Sequence, residues 1–193
     1  MDTQRLSDIV SPLLNWFSAN ARDLPWRRDR EPYHVWLSEI MLQQTRVEAV
    51  KGYYARFLDA APDVFVLAAL PEDRLMKLWE GLGYYNRARN LQKCAREIAA
   101  RGGVFPRSKE ELCKLPGIGD YTAGAIASIC FDEACAAVDG NVLRVCARVL
   151  DDPTPVDDTA HKIALDAALG AVYPAGRCGD FTQALMELGA VVC

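Results

Sequence analysis

No run of apolar residues in this sequence is long enough to span a bilayer, so a membrane-spanning helix is excluded. The first ten residues, MDTQRLSDIV, offer neither a basic stretch nor the apolar core of a secretory signal. The expected location is therefore the cytoplasm, a bacterial cytosol or nucleoid, with no membrane partner. Nowhere do two cysteines stand as C-x-x-C, so the seven present form no complete metal motif. They read as reduced thiols, mostly small buried hydrophobes. Strand-like alternation, internal repeats and low-complexity tracts are also missing. Positive charge is short as well: 22 Lys and Arg stand against 26 Asp and Glu, for a net charge of −4. That average weighs against a nucleic-acid partner. A phosphate-binding face needs only a local excess of cations, and Arg22–Arg30 and Arg87–Arg101 supply two. Solvated helix faces explain either segment equally well.

What is present is helical periodicity. It predicts helices over 4–20, 33–45, 46–59, 63–69, 72–79, 86–101, 108–114, 120–130, 140–150, 158–172 and 178–192. The links between them carry Pro or Gly, as in GLGYY, GGVFPRS and LPGIGD. Asp63, Ser108, Asp120 and Asp139 stand where N-caps belong. The expected fold class is all-α, and DDPTPVDD is the expected flexible connector. At 193 residues the chain suffices for one sizeable core or two smaller lobes sharing a cleft.

Two stretches carry chemistry. In VWLSEIMLQQT, Glu39 has Val35, Trp36, Leu42 and Gln43 as its helical neighbours. A carboxyl on an apolar face has its charged form disfavoured. The pattern fits a catalytic acid and an arginine-paired structural acid alike. In LPGIGDYTAGAIAS, Pro116 starts a turn, and Gly117 and Gly119 permit conformations closed to residues with side chains. Bare glycines also let a phosphate approach backbone amides at the start of a helix. An ordinary tight helix–helix turn has the same glycines.

The hairpin resembles the helix-hairpin-helix of the base-excision DNA glycosylases. The resemblance extends through LPWRRDREPYHVWLSEIMLQQTRVEAV, LWEGLGYYNRARNL, LPGIGDYTAGA, VDGNVLRV and FTQALMELGAVVC, five blocks similar to the MutY-type adenine DNA glycosylases. It implies an enzyme that hydrolyses the N-glycosidic bond of adenine mispaired with 8-oxoguanine or guanine. It also implies a monomer acting on double-stranded DNA that contains an A mispair. Its fold would be two helical lobes: a six-helix barrel over 28–134 with the hairpin, and a second lobe from 1–27 with 135–193, the DNA lying across the cleft. Glu39 would be the general acid, and Asp139 the carboxylate that stabilises the cationic sugar, capping its own helix through Asn141 or Val142. Tyr121 stands where the endonuclease III-like sister group keeps a catalytic lysine. The expectation is a monofunctional enzyme, since Schiff-base chemistry lacks its amine.

The same resemblance places Gln44 in the space vacated by a flipped base and Leu42 against the adenine. It makes Gln43 a DNA contact, makes Tyr84 an aromatic wedge, and puts Arg22, Trp26, Arg27 and Gln183 around the adenine site. Gly117 and Gly119 would grip a phosphate, helped by a monovalent cation. The family's four-iron, four-sulfur cluster needs four cysteines, and Cys193 matches the first. The expected state is a fragment with the cluster absent or incomplete. The competing readings are an endonuclease III-like glycosylase-lyase on oxidised pyrimidines and a catalytically silent DNA-binding fragment.

Overall fold

The computed structural model describes residues 1–155 and 158–193; Val156 and Asp157, inside the expected DDPTPVDD connector, lie outside the described residues. Among the described residues the secondary structure is helical, without a strand. The helices are α1 (Thr3–Asp8), α2 (Val10–Asn20), α3 (Pro32–Leu42), α4 (Val47–Ala60), α5 (Val64–Ala69) and α6 (Glu72–Trp79). They continue with α7 (Asn86–Ala100), α8 (Lys109–Leu112), α9 (Asp120–Phe131), α10 (Gly140–Leu150), α11 (Thr159–Gly170) and α12 (Cys178–Val191). A short 3-10 turn covers Pro25–Arg27.

Local chemistry explains most boundaries. Pro32 opens α3 at its first turn, where its missing N–H costs nothing. Asp63 caps α5 by accepting from the amides of Phe65 and Val66, and Asp139 caps α10 through the amide of Val142. Each such cap is worth about 1 kcal/mol. Asp2 and Asp158 cap α1 and α11 in the same way.

Two expected helices change. The single helix expected over 4–20 is broken at Ile9 into α1 and α2. Pro12 is the reason: in an unbroken helix its ring would collide with the Asp8 carbonyl, four residues back. The helix expected over 33–45 stops at Leu42, because Gln43 is not helical and Gln44 is left-handed, with φ of 58°.

The chain divides into two compact units. One comprises Met1–Arg22, Arg107–Lys109 and Ala123–Cys193; the other comprises Asp23–Pro106 and Glu110–Thr122. In the first, Leu6, Leu14, Val145, Cys146, Leu165, Leu169, Phe181 and Leu185 are buried together. Small residues permit the closest approaches there. A Cβ on Gly124 would lie 2.1 Å from the Ala136 carbonyl oxygen, and one on Gly179 would lie 2.8 Å from Ile129 Cα. In the second unit, α5 packs on α7, and α3 on α4. Trp36 meets Phe105 edge-on with centroids 5.6 Å apart, and Phe57 meets Trp79 at 6.1 Å. Cys94 and Cys146 are buried, and burial pushes each thiol up to about 12.

Candidate active site

The second unit holds Glu39. The α3 helix has Val35, Trp36, Leu37, Ile40 and Met41 almost wholly buried, so the carboxyl one turn from Val35 and Trp36 is carried inside. Its residue exposure is 7%. The Tyr121 hydroxyl donates to Glu39 Oε2 at 2.6 Å. Tyr121 is the second residue of α9, so the hairpin that starts this helix also fixes the partner of the acid. The two residues are 82 apart in sequence.

The hairpin glycines differ from each other. Gly117 has φ of 74°, and a Cβ there would meet Asn90 Cβ at 2.7 Å, so conformation and packing both require glycine. Gly119 corrects the expectation: its φ is not left-handed, and a Cβ would meet nothing within 4 Å. Only the open space over its backbone distinguishes it. Gly117, Pro116, Asn90, Leu91, Arg87, Trp36, Ile40 and Gln43 surround a cavity of about 60 Å³, which joins the hairpin to the end of α3.

Beyond Leu42, which is half-buried, the chain turns at Gln43 and exposes Gln44. Tyr84 is 66% exposed and also left-handed, with φ of 47°. Trp26 is buried at 6% and packs edge-on against Tyr54, with centroids 5.4 Å apart. Its indole is therefore part of the core. Arg27 follows it, half-buried in the 3-10 turn.

The other expected site residues belong to the first unit. Asp139 is half-buried; it accepts from the Val142 amide at 2.8 Å and from Asn141 Nδ2 at 2.7 Å. Arg22 makes a forked ion pair with Glu187, Nε to Oε1 and Nη2 to Oε2 both at 2.7 Å, and its amide also donates to Oε1 at 3.0 Å. The Glu187 side chain has no exposure, so its buried charge is met by the half-exposed Arg22 guanidinium. Gln183 Nε2 donates to the Gly179 carbonyl at 3.3 Å on its own helix. Cys193 is exposed, and among the described residues no three His, Cys, Asp or Glu side chains converge on a metal position. A single thiolate does not fit a four-iron cluster.

Two features escaped the sequence reading. One is the Tyr121–Glu39 bond, since Tyr121 was notable there only for not being lysine. The other is Arg87, which was one cation in a basic segment. Its guanidinium turns inward: Nη1 donates to the carbonyls of Ile40, Met41 and Gln43, and Nη2 to those of Leu82 and Gly83. It is therefore not a surface phosphate ligand. The available signal was its position, because an arginine in the first turn of α7 opposes the helix dipole.

The model for HhH-GPD superfamily base excision DNA repair proteins matches residues 37–166. An adenine DNA glycosylase of Mus musculus is 49% identical over 205 residues, covering 100% of this chain and 39% of the relative. An adenine DNA glycosylase of Homo sapiens is 44% identical over 202 residues, covering 100% and 37%. The chain thus spans about two fifths of the length of these curated relatives. A solved structure of a thermostable thymine-DNA glycosylase has a TM-score of 0.86 at 29% identity, covering 98% of this chain and 88% of that one.

Proposed function

We propose, because this chain belongs to the HhH-GPD superfamily of base excision DNA repair proteins, that it removes adenine from mispaired double-stranded DNA by hydrolysing the N-glycosidic bond. The observation that carries this reading is the buried Glu39 carboxyl with the Tyr121 hydroxyl 2.6 Å away. Leaving adenine needs a proton on its purine ring. An acid in water is ionised near neutral pH, whereas burial penalises the charged form and keeps a proton available. Glu39 gives that proton to the ring as the bond from sugar to base breaks, and the bond's electrons leave with the base. The carboxylate so formed takes a proton from the water that attacks the sugar carbon, which restores the acid.

Asp139 is the carboxylate we assign to the cationic sugar, by electrostatic stabilisation. With the Tyr121 phenol where a Schiff base would need an amine, the reaction ends at base removal. The open backbone at Gly119 suits a duplex phosphate, and exposed Gln44 and Tyr84 suit insertion into the stack. A preference for 8-oxoguanine opposite the adenine belongs to the same proposal. The test is alkali-developed strand cleavage of a duplex carrying one A opposite 8-oxoguanine. Cleavage is expected with the natural chain and is expected to vanish in Glu39→Gln, while duplex affinity stays within a few-fold. Excision surviving in Glu39→Gln removes Glu39 from the mechanism.

A further inference from the structure

Four residues other than glycine have a left-handed backbone among the described residues: Gln44, Tyr84, Asp132 and Asp151. Aspartate tolerates that region; glutamine and tyrosine do so much less. Strain of this kind persists only where neighbouring structure enforces it, and it gathers at functional positions. Both Gln44 and Tyr84 are exposed, so no core packing enforces either.

The enforcing contacts converge on one side chain. Arg87 Nη1 donates to the Gln43 carbonyl at 2.6 Å, in the peptide just before Gln44, and to Ile40 at 2.7 Å. Nη2 donates to the Leu82 carbonyl at 2.8 Å and to Gly83 at 3.3 Å, in the peptide just before Tyr84. The Gly83 carbonyl also accepts from Trp79 Nε1 at 3.1 Å. The guanidinium lies 5.7 Å from the Tyr84 ring centroid and 5.4 Å from that of Trp79. The carbonyls of the last turn of α3 lack helical donors, and a cation satisfies them. Arg87 Nε is buried and makes no hydrogen bond, so the group is oriented by its two terminal nitrogens alone.

We propose that Arg87 is a positioning residue: its single guanidinium locks the Gln43–Gln44 and Gly83–Tyr84 turns together, so that both exposed side chains are presented to the duplex as one preformed unit. This rests on the base-excision reading for its consequence and on the geometry of the turns for its cause. Lysine keeps the charge but cannot span two turns with a planar fork.

The experiment is Arg87→Lys with three readouts. Amide hydrogen exchange on the free protein is expected to speed up about tenfold at both Thr45 and Leu82, in one variant, with α10 and α12 unchanged. The single-turnover rate on a duplex with A opposite 8-oxoguanine is expected to fall by about 100-fold, as displaced positioning groups allow. Duplex affinity is expected to keep its salt slope. Exchange that changes at one turn or neither overturns the proposal. So does excision at the natural rate, and so does a salt slope reduced by about one, which would make Arg87 a phosphate ligand. A natural chain that excises nothing, together with the expected exchange at both turns, sustains the joint positioning and sinks the base-excision reading. Should Arg87→Lys not fold, nitrogen-15 NMR of the natural protein decides: slowly exchanging, resolved Arg87 Nη protons support the lock, and rapidly averaged ones overturn it.

Discussion

At the scale of single residues, the proposed chemistry depends on what Tyr121 does to Glu39. Its hydroxyl donates to Oε2 at 2.6 Å, which holds that edge of the carboxyl in place. Tyr121→Phe keeps the ring and removes the donor. Excision by Tyr121→Phe is expected to fall by about 10- to 100-fold, the worth of one hydrogen bond to the carboxylate that forms as Glu39 gives up its proton, about 1.5–3 kcal/mol. Its thermal midpoint should move by only a few degrees, since one partly exposed hydrogen bond is lost. Single-turnover kinetics beside a melting curve check both, and an unchanged rate removes Tyr121 from the site. Glu39 itself was legible in the sequence, because three of its four helical neighbours are apolar and burial of that face follows. Its partner was not, because nothing local links positions 39 and 121.

At the scale of elements, sequence pattern located helices well where a cap or proline acts locally, as at Asp63, Asp139 and Pro32. It failed where a distant group decides. The end of α3 is set by Arg87, 44 residues beyond Gln43, and no periodicity in 33–45 records that. Pro12 was readable in principle, yet the apolar spacing on both sides of it favoured one continuous helix. The glycines of α9 and its hairpin show the same divide between local and distant causes. Gly124→Ala would drive a methyl against the Ala136 carbonyl and is expected to cost about 1–3 kcal/mol or more. Gly119→Ala meets nothing and is expected to leave folding stability within about 0.5 kcal/mol. If a phosphate sits over that backbone, the same methyl weakens duplex binding. Urea midpoints and duplex titrations on the two variants separate a packing glycine from a ligand-facing one. Equal loss of stability in both would refute the distinction.

At the scale of the whole molecule, the question is how a chain of net charge −4 would hold the polyanion that the proposed function requires. The two basic segments are less free than their composition suggests. Arg22 is paired with Glu187, Arg89 with Glu72, and Arg87 with backbone carbonyls. Arg28 is paired with Asp23 at 3.0 Å, both side chains well exposed. Exposed pairs open readily, because water solvates both members nearly as well as they solvate each other. Each arginine that trades a carboxylate for a phosphate contributes about −0.9 to the slope of log affinity against log salt. With so many cations already committed, the slope for the natural chain is expected between about −2 and −4, shallow for a duplex-binding protein. Asp23→Asn removes the competing anion and leaves Arg28 in place. It is expected to raise duplex affinity at low salt and to steepen the slope by up to about one. Titration of a labelled duplex across a salt series measures both quantities. A slope near zero for the natural chain would mean that no phosphate is held by charge, and the basic segments would then be ordinary solvated surface.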